Sequence, residues 1–145
     1  MTTDVRVRDA VADDYAQLLP LAQELATSFE VELAAFRAVL EGLLIAPTGL
    51  VLVAERQAQI VGYALAQLHF TFHANGPVVW VEEVMVAGPH RSVGAGRALM
   101  TATEEWGRTQ GAAYVALATR RAASFYEALG YEPSATYYRR KLPDA

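Results

Sequence analysis

One segment, Val84 to Met100, limits most what this chain can fold into. Val78-Val79-Trp80-Val81 and Val84-Met85-Val86 are apolar and β-prone, which predicts a strand running up to Val86. Gly88-Pro89 breaks it. Beyond Gly96, the residues Leu99, Ala102 and Trp106 recur at helical spacing. A strand, a tight loop and a helix therefore follow one another, with Arg91-x-x-Gly94-x-Gly96 at the joint. Two glycines at a helix mouth leave backbone N–H groups unobstructed at the positive end of the helix dipole. Such a place holds an anion, usually a phosphate. Taken alone, the loop is equally well explained as a turn with no ligand.

Two specific phosphate patterns fail. A Walker loop needs a Lys-Ser/Thr pair after its last glycine, and none follows here. A dinucleotide fingerprint needs a third glycine where Leu99 stands, and an acidic ribose ligand at a strand end.

The rest of the chain supplies the setting. Val5-Arg6-Val7-Arg8 alternates as a short edge strand. Asp13 or Asp14 can cap a helix whose apolar stripe is Tyr15, Leu18, Leu19, Ala22 and Leu25, with a kink expected at Pro20. A turn at Thr27–Glu30 leads to a second helix over about Glu32 to Leu43. Leu50–Ala54 and Ile60–Leu68 read as an antiparallel hairpin. The aromatic segment from His69 to His73 leads into a turn and the central strand. After the glycine loop and its helix, Tyr114–Ala118 is a buried strand that completes a right-handed βαβ unit. A short helix from Arg121 to Leu129 ends at Gly130, and further strands are expected from Tyr131 and over Thr136–Leu142. The Tyr137-Tyr138 pair reads as packing of that last strand. This order gives an α/β (α+β layered) class rather than a regular alternation.

Composition removes several functions. At 145 residues and 53% hydrophobic, the chain reads as a single domain spanning 1–145. The absence of cysteine excludes disulfides, thiolate zinc sites and a cysteine nucleophile. His69, His73 and His90 lack metal-ligand spacing and read as loop residues, so no metal is expected. A net charge of −4 without a basic block argues against a nucleic-acid partner. The apolar runs are too short to span a membrane, and Met1–Arg6 shows no secretory signal. No membrane partner is expected, and the chain is placed in the cytoplasm.

Arg91-Ser92-Val93-Gly94-Ala95-Gly96 resembles the [Q/R]-x-x-G-x-[G/A] signature of the GNAT superfamily of acetyl-CoA-dependent N-acetyltransferases. Ala122-Ala123-Ser124-Phe125-Tyr126-Glu127-Ala128-Leu129-Gly130-Tyr131 is similar to a second segment of that family, at the expected distance. The element order matches as well, so the resemblance covers nearly the whole chain. It implies a mixed, mostly antiparallel twisted sheet of six or seven strands with about four helices on its two faces. Two positions depart from the pattern. Ser92 stands where the family often has glycine, a replacement that is tolerable if Ser92 keeps φ below zero. Thr119 stands where many members carry an asparagine.

The resemblance implies roles that the side chains can support. Pyrophosphate of acetyl-CoA would rest on the backbone of Ser92, Val93, Gly94, Ala95 and Gly96, with Arg91 and Arg97 adding charge. Pantetheine would lie along Val84, Met85 and Val86 as an added strand, provided that the strand splays from the one holding Val115. A backbone N–H near Val84 or Met85 would meet the oxyanion. Tyr126 is the candidate acid for the leaving thiolate, because a phenol with a pKa of about 10 remains a donor. Of the acid pair, Glu82 is the candidate base or amine ligand and Glu83 a substrate-binding residue. Adjacent positions on a strand face opposite ways, so only one of the two faces the acceptor unless a bulge intervenes. Phe29 and Glu30 would border the acceptor. The function implied is direct acetyl transfer to a primary amine of a small cationic molecule. A protein or peptide acceptor, or a non-catalytic acetyl-CoA-binding regulatory domain, are the alternatives. The family also allows a homodimer.

Overall fold

The structure is a computed structural model that describes residues 4–144. Five strands form one sheet in chain order: β1 (Arg6–Asp9), β2 (Gly49–Arg56), β3 (Gln59–Thr71), β4 (Gly76–Val86) and β5 (Val115–Leu117). Neighbours are antiparallel up to β4, and β5 joins β4 in parallel. Between β1 and β2 lie α1 (Tyr15–Leu25) and α2 (Leu33–Ile45); α3 (Ala95–Thr109) links β4 to β5, and α4 (Ala123–Ala128) follows β5. Pro20 lies inside α1 without dividing it.

Helices cover both faces, so β2 and β3 are buried on both sides and read as continuous apolar runs. One core places Leu52, Ala64, Val79 and Val81 against Leu99 and Met100 of α3. The other places Val51, Val53, Tyr63 and Met85 against Leu18, Leu21 and Ala22 of α1 and Leu40 of α2. Helices α1, α2 and α3 each bury residues on one side and leave the opposite side to solvent.

Four sequence expectations need correction. The sheet has five strands among the described residues, not six or seven: residues 131–144 carry no strand. Tyr131 N donates instead to Tyr126 O (3.0 Å), the Tyr137 ring stacks on Trp80 rather than lying in a strand, and Tyr138 is exposed. His69 lies in β3, not in a loop, and stacks on Trp80. Asp14 precedes α1 without a side-chain cap; its carboxylate accepts Val11 N–H (2.8 Å) and two bonds from Arg8.

The fourth correction shapes the site. Leu65 is opposite Glu83, but Ala66 is opposite Val81. Glu82 is the extra residue of a β-bulge. The bulge turns its side chain to the same face as its neighbour's, and Glu82 accepts bonds from Trp80 Nε1 (2.8 Å) and Gln67 Nε2 (3.2 Å). Both carboxylates therefore line one cleft, and the alternation expected of adjacent strand residues does not apply.

Candidate active site

A cleft of about 1260 Å³ opens between the α1–α2 turn, the end of β4 and the start of α4. It exists because β4 outruns its partner. Pairing with β5 ends at Val81 opposite Leu117, while β4 continues to Val86. The splay that a strand-like ligand requires is thus present. Ala87 N donates to Val61 O of β3 (2.8 Å), so Val84 and Val86 turn their N–H and C=O groups to the other, open side. Arg91 Nε reaches Val86 O there (3.1 Å). Met85 alternates with them: its backbone faces β3, opposite Tyr63, and its side chain is buried in the core under α1 and α2.

The loop after β4 is built by backbone conformation. A 3₁₀ turn at Gly88–His90 follows the strand, and Gly94 precedes α3 with φ 89°, a left-handed value that suits glycine. Ser92 also takes a left-handed value, φ 72°, so the condition of a negative φ is not met at that position. Ala98 N donates to Gly94 O (3.0 Å), the first bond of the helix. The N–H groups of Ala95, Gly96 and Arg97 have no acceptor within α3 and point out of its positive end. Gly96 is small for a different reason: a Cβ there would sit 3.0 Å from the Phe125 ring of α4. Val93 is half-buried against the core, whereas Arg91 and Arg97 are exposed.

On the acceptor side, Glu82 and Glu83 line the cleft with Phe29, Glu30 and Glu32 of the α1–α2 connection. Glu83 accepts a bond from the Tyr63 hydroxyl at 2.6 Å. Sequence patterns do not single out Tyr63, Trp80 or Gln67, because their link to the acid pair depends on how β3 and β4 register. Arg120, Arg121 and Arg139 also line the cleft. Their sequence signals are the adjacent pair Arg120-Arg121, between a strand and a short helix, and the basic run Arg139-Arg140-Lys141.

Tyr126 lines the same cleft from α4, half-buried with its ring edge-on to Phe125 and Tyr131. Burial pushes its hydroxyl above the ordinary value of 10.0. The structure thus brings Tyr126 and both carboxylates to one cleft. Thr119 accepts Ala122 N–H at its Oγ1 (3.0 Å), so its hydroxyl shapes the entry to α4. Among the described residues no cluster of three or more His, Asp or Glu side chains could hold a metal ion, and no helix is long and apolar enough to cross a membrane.

The fold is a layered α/β one whose sheet parts beside a helix N-terminus. Residues 12–131 match the model of the acetyltransferase (GNAT) family, and the chain belongs to that family of acetyl-CoA-dependent acetyltransferases. It is similar to a Trypanosoma brucei acetyltransferase structure, with 25% identity, TM-score 0.82 and coverage of 96% of this chain and 100% of that one. A transcriptional regulator from Bacillus halodurans shares the fold at 19% identity, TM-score 0.87, covering 95% and 99%. An aminoglycoside N-acetyltransferase in complex with CoA shares it at 21% identity, TM-score 0.82, covering 98% of each chain. No curated protein matches the sequence.

Proposed function

We propose that this chain moves the acetyl group of acetyl-CoA directly onto a primary amine of a small cationic acceptor. The observation that carries the reading is β4 itself. Its open edge at Val84 and Val86 lies between the free N–H groups of α3 and a cleft that holds Glu82 and Glu83. The residues present fit acetyl-CoA at both ends. The first turn of α3 would hold pyrophosphate with the backbone of Ser92 to Gly96, and Arg91 and Arg97 would add charge nearby. Val84 and Val86 offer alternating N–H and C=O groups to the amides of pantetheine, while Met85 anchors the strand in the core. Ser92, held at positive φ, is the one strained point of this grip.

Acetyl-CoA supplies an activated acyl group; the chain supplies orientation and proton handling. Glu82 and Glu83 attract the acceptor as an ammonium ion, whose pKa of about 10 leaves it mostly protonated at neutral pH. Glu82 takes one proton from it through water, freeing the lone pair that attacks the carbonyl carbon. Val84 N–H donates to the carbonyl oxygen as negative charge gathers there. The C–N bond forms, the C–S bond breaks, Tyr126 gives its proton to the leaving thiolate, and the second proton of the acylated nitrogen returns through water to Tyr126. No covalent bond to the chain is needed. Free CoA release across a panel of polyamines, aminoglycosides, amino-acid amides and peptides tests the reading. A small polycation should be acetylated fastest. Peptides as the best acceptors, or CoA binding with no release against any amine, would overturn it.

A further inference from the structure

The C-terminal segment holds the chain's one run of three basic residues, Arg139-Arg140-Lys141. It is exposed, lacks helix and strand, and crosses the acceptor side of the cleft. Three contacts locate it. The ring of Tyr137 stacks on Trp80, with centroids 6.2 Å apart and planes 17° from parallel. Trp80 is one of the two residues that bond Glu82. Arg139 lines the cleft together with Glu82 and Glu83. Lys141 Nζ lies 5.2 Å from the centre of the Phe29 ring, in the connection that also contributes Glu30 and Glu32 to the cleft. Among the described residues, none of Arg139, Arg140 and Lys141 is in an ion pair. The segment is therefore held by ring contacts at two points, with its cations presented between them.

We propose that residues 137–141 form a tethered competitor for the acceptor, in which Lys141 occupies over Phe29 the place of an ammonium group remote from the one acetylated. The proposal rests on the reading of the cleft as a site for cationic amines. A tethered cation acts at an effective concentration in the millimolar range, so a dilute monoamine meets a largely closed cleft. A polyamine exchanges the Lys141 contact for its own and opens the cleft at little net cost. The tether thus weakens every amine by the same factor, and an acceptor with two or more ammonium groups keeps its advantage through its own contact with Phe29.

The full chain is compared with Lys141→Gln, Tyr137→Ala and Phe29→Leu, using spermidine and butylamine as acceptors. An exposed cation–π contact corresponds to about two- to five-fold in an equilibrium. Lys141→Gln and Tyr137→Ala should therefore lower KM for both amines by about that factor, with kcat unchanged. Phe29→Leu should lower KM for butylamine and narrow the advantage of spermidine. In a Trp106→Phe background, where Trp80 is the only tryptophan, spermidine should shift the emission of Trp80 as Tyr137 leaves it. Tyr137→Ala should abolish that shift. A rise in KM on Lys141→Gln would make the segment a wall of the site and overturn the proposal. So would acetylation of amines with neither KM nor emission responding to these changes; in that case the cationic-amine reading stands. Spermidine that neither reacts nor perturbs Trp80 would overturn both.

Discussion

The hydroxyl of Tyr63 donates to Oε1 of Glu83 at 2.6 Å, from a side chain only 4% exposed. The two residues are not directly opposed. Tyr63 faces Met85 and Glu83 faces Leu65, so the bond runs diagonally across the β3–β4 ladder. Burial raises the pKa of the Tyr63 hydroxyl well above that of an ordinary phenol, and the Glu83 carboxylate raises it further. Tyr63 is thus a fixed donor at any working pH, and Glu83 is held at the floor of the cleft.

Tyr63→Phe should separate binding from chemistry. The phenyl ring keeps the packing with Met85 and α1, and only the donor is lost. Glu83 borders the cleft and can recruit water, so the cost is about 1 kcal/mol in stability. The freed carboxylate should raise the amine KM about five-fold with kcat little changed, a split that marks lost positioning of substrate. Initial rates over amine concentrations that span KM, together with urea denaturation, measure both effects. A fall in kcat with KM constant would mean that Glu83, not Glu82, handles the proton.

Tyr126→Phe should act on kcat. The ring remains edge-on to Phe125 and Tyr131, so the fold should be kept. Loss of a positioned acid costs about 10²- to 10³-fold in rate. On the proposed mechanism the protonated form of Tyr126 is the active one, and its raised pKa puts the alkaline limb above pH 10. A kcat profile of the native chain that falls between pH 8 and 9 would assign that limb to another group. An unchanged rate in the variant would remove Tyr126 from the chemistry.

Ser92→Gly should stabilise the chain. A non-glycine residue in the left-handed region costs about 1–2 kcal/mol, part of which glycine returns through the greater freedom of the unfolded chain. The expected gain is about 0.5–1 kcal/mol. Ser92→Val should lose more than that, since a β-branched side chain suits positive φ least. Urea midpoints of the three proteins should follow the order Gly, Ser, Val. On the proposed cofactor grip, CoA affinity should hold or improve in the glycine variant, because the loop backbone is unstrained there.

Local signals carried most of the fold. The strand up to Val86, the break at Gly88-Pro89 and the helical spacing beyond Gly96 each depend on residues close in sequence. What stayed hidden depends on residues that are far apart. The bulge that brings Glu82 and Glu83 to one face exists only in the registry of β3 against β4. The size limit at Gly96 comes from Phe125, on another helix. The positive φ of Ser92 is set by the closure of the whole loop, not by any preference of serine. Thr136 to Leu142 has strand composition, but a strand also needs an edge to pair with, and there Tyr137 meets a ring.

Asp14 ties the stability of the sheet to pH. Its carboxylate accepts two bonds from Arg8, at 2.8 and 3.0 Å, and Arg8 Nε also bonds Glu55 at 2.7 Å. The cluster joins β1, β2 and the entry to α1. The Arg8 hydrogen bonds are the main cause that lowers the Asp14 pKa from its ordinary 3.8; burial opposes them, and the bond from Val11 assists. A depressed carboxylate pKa stabilises the fold fully above the unfolded value, and the contribution is lost as pH falls through the folded one. Arg8 is partly solvated, so the cluster is screened and Asp14→Asn should cost about 1–2 kcal/mol at pH 7. Urea midpoints measured from pH 7 to pH 2 should show that gap constant down to about pH 4 and closing below it. A gap that persists unchanged at pH 2 would place the effect in packing around Asp14 rather than in its charge.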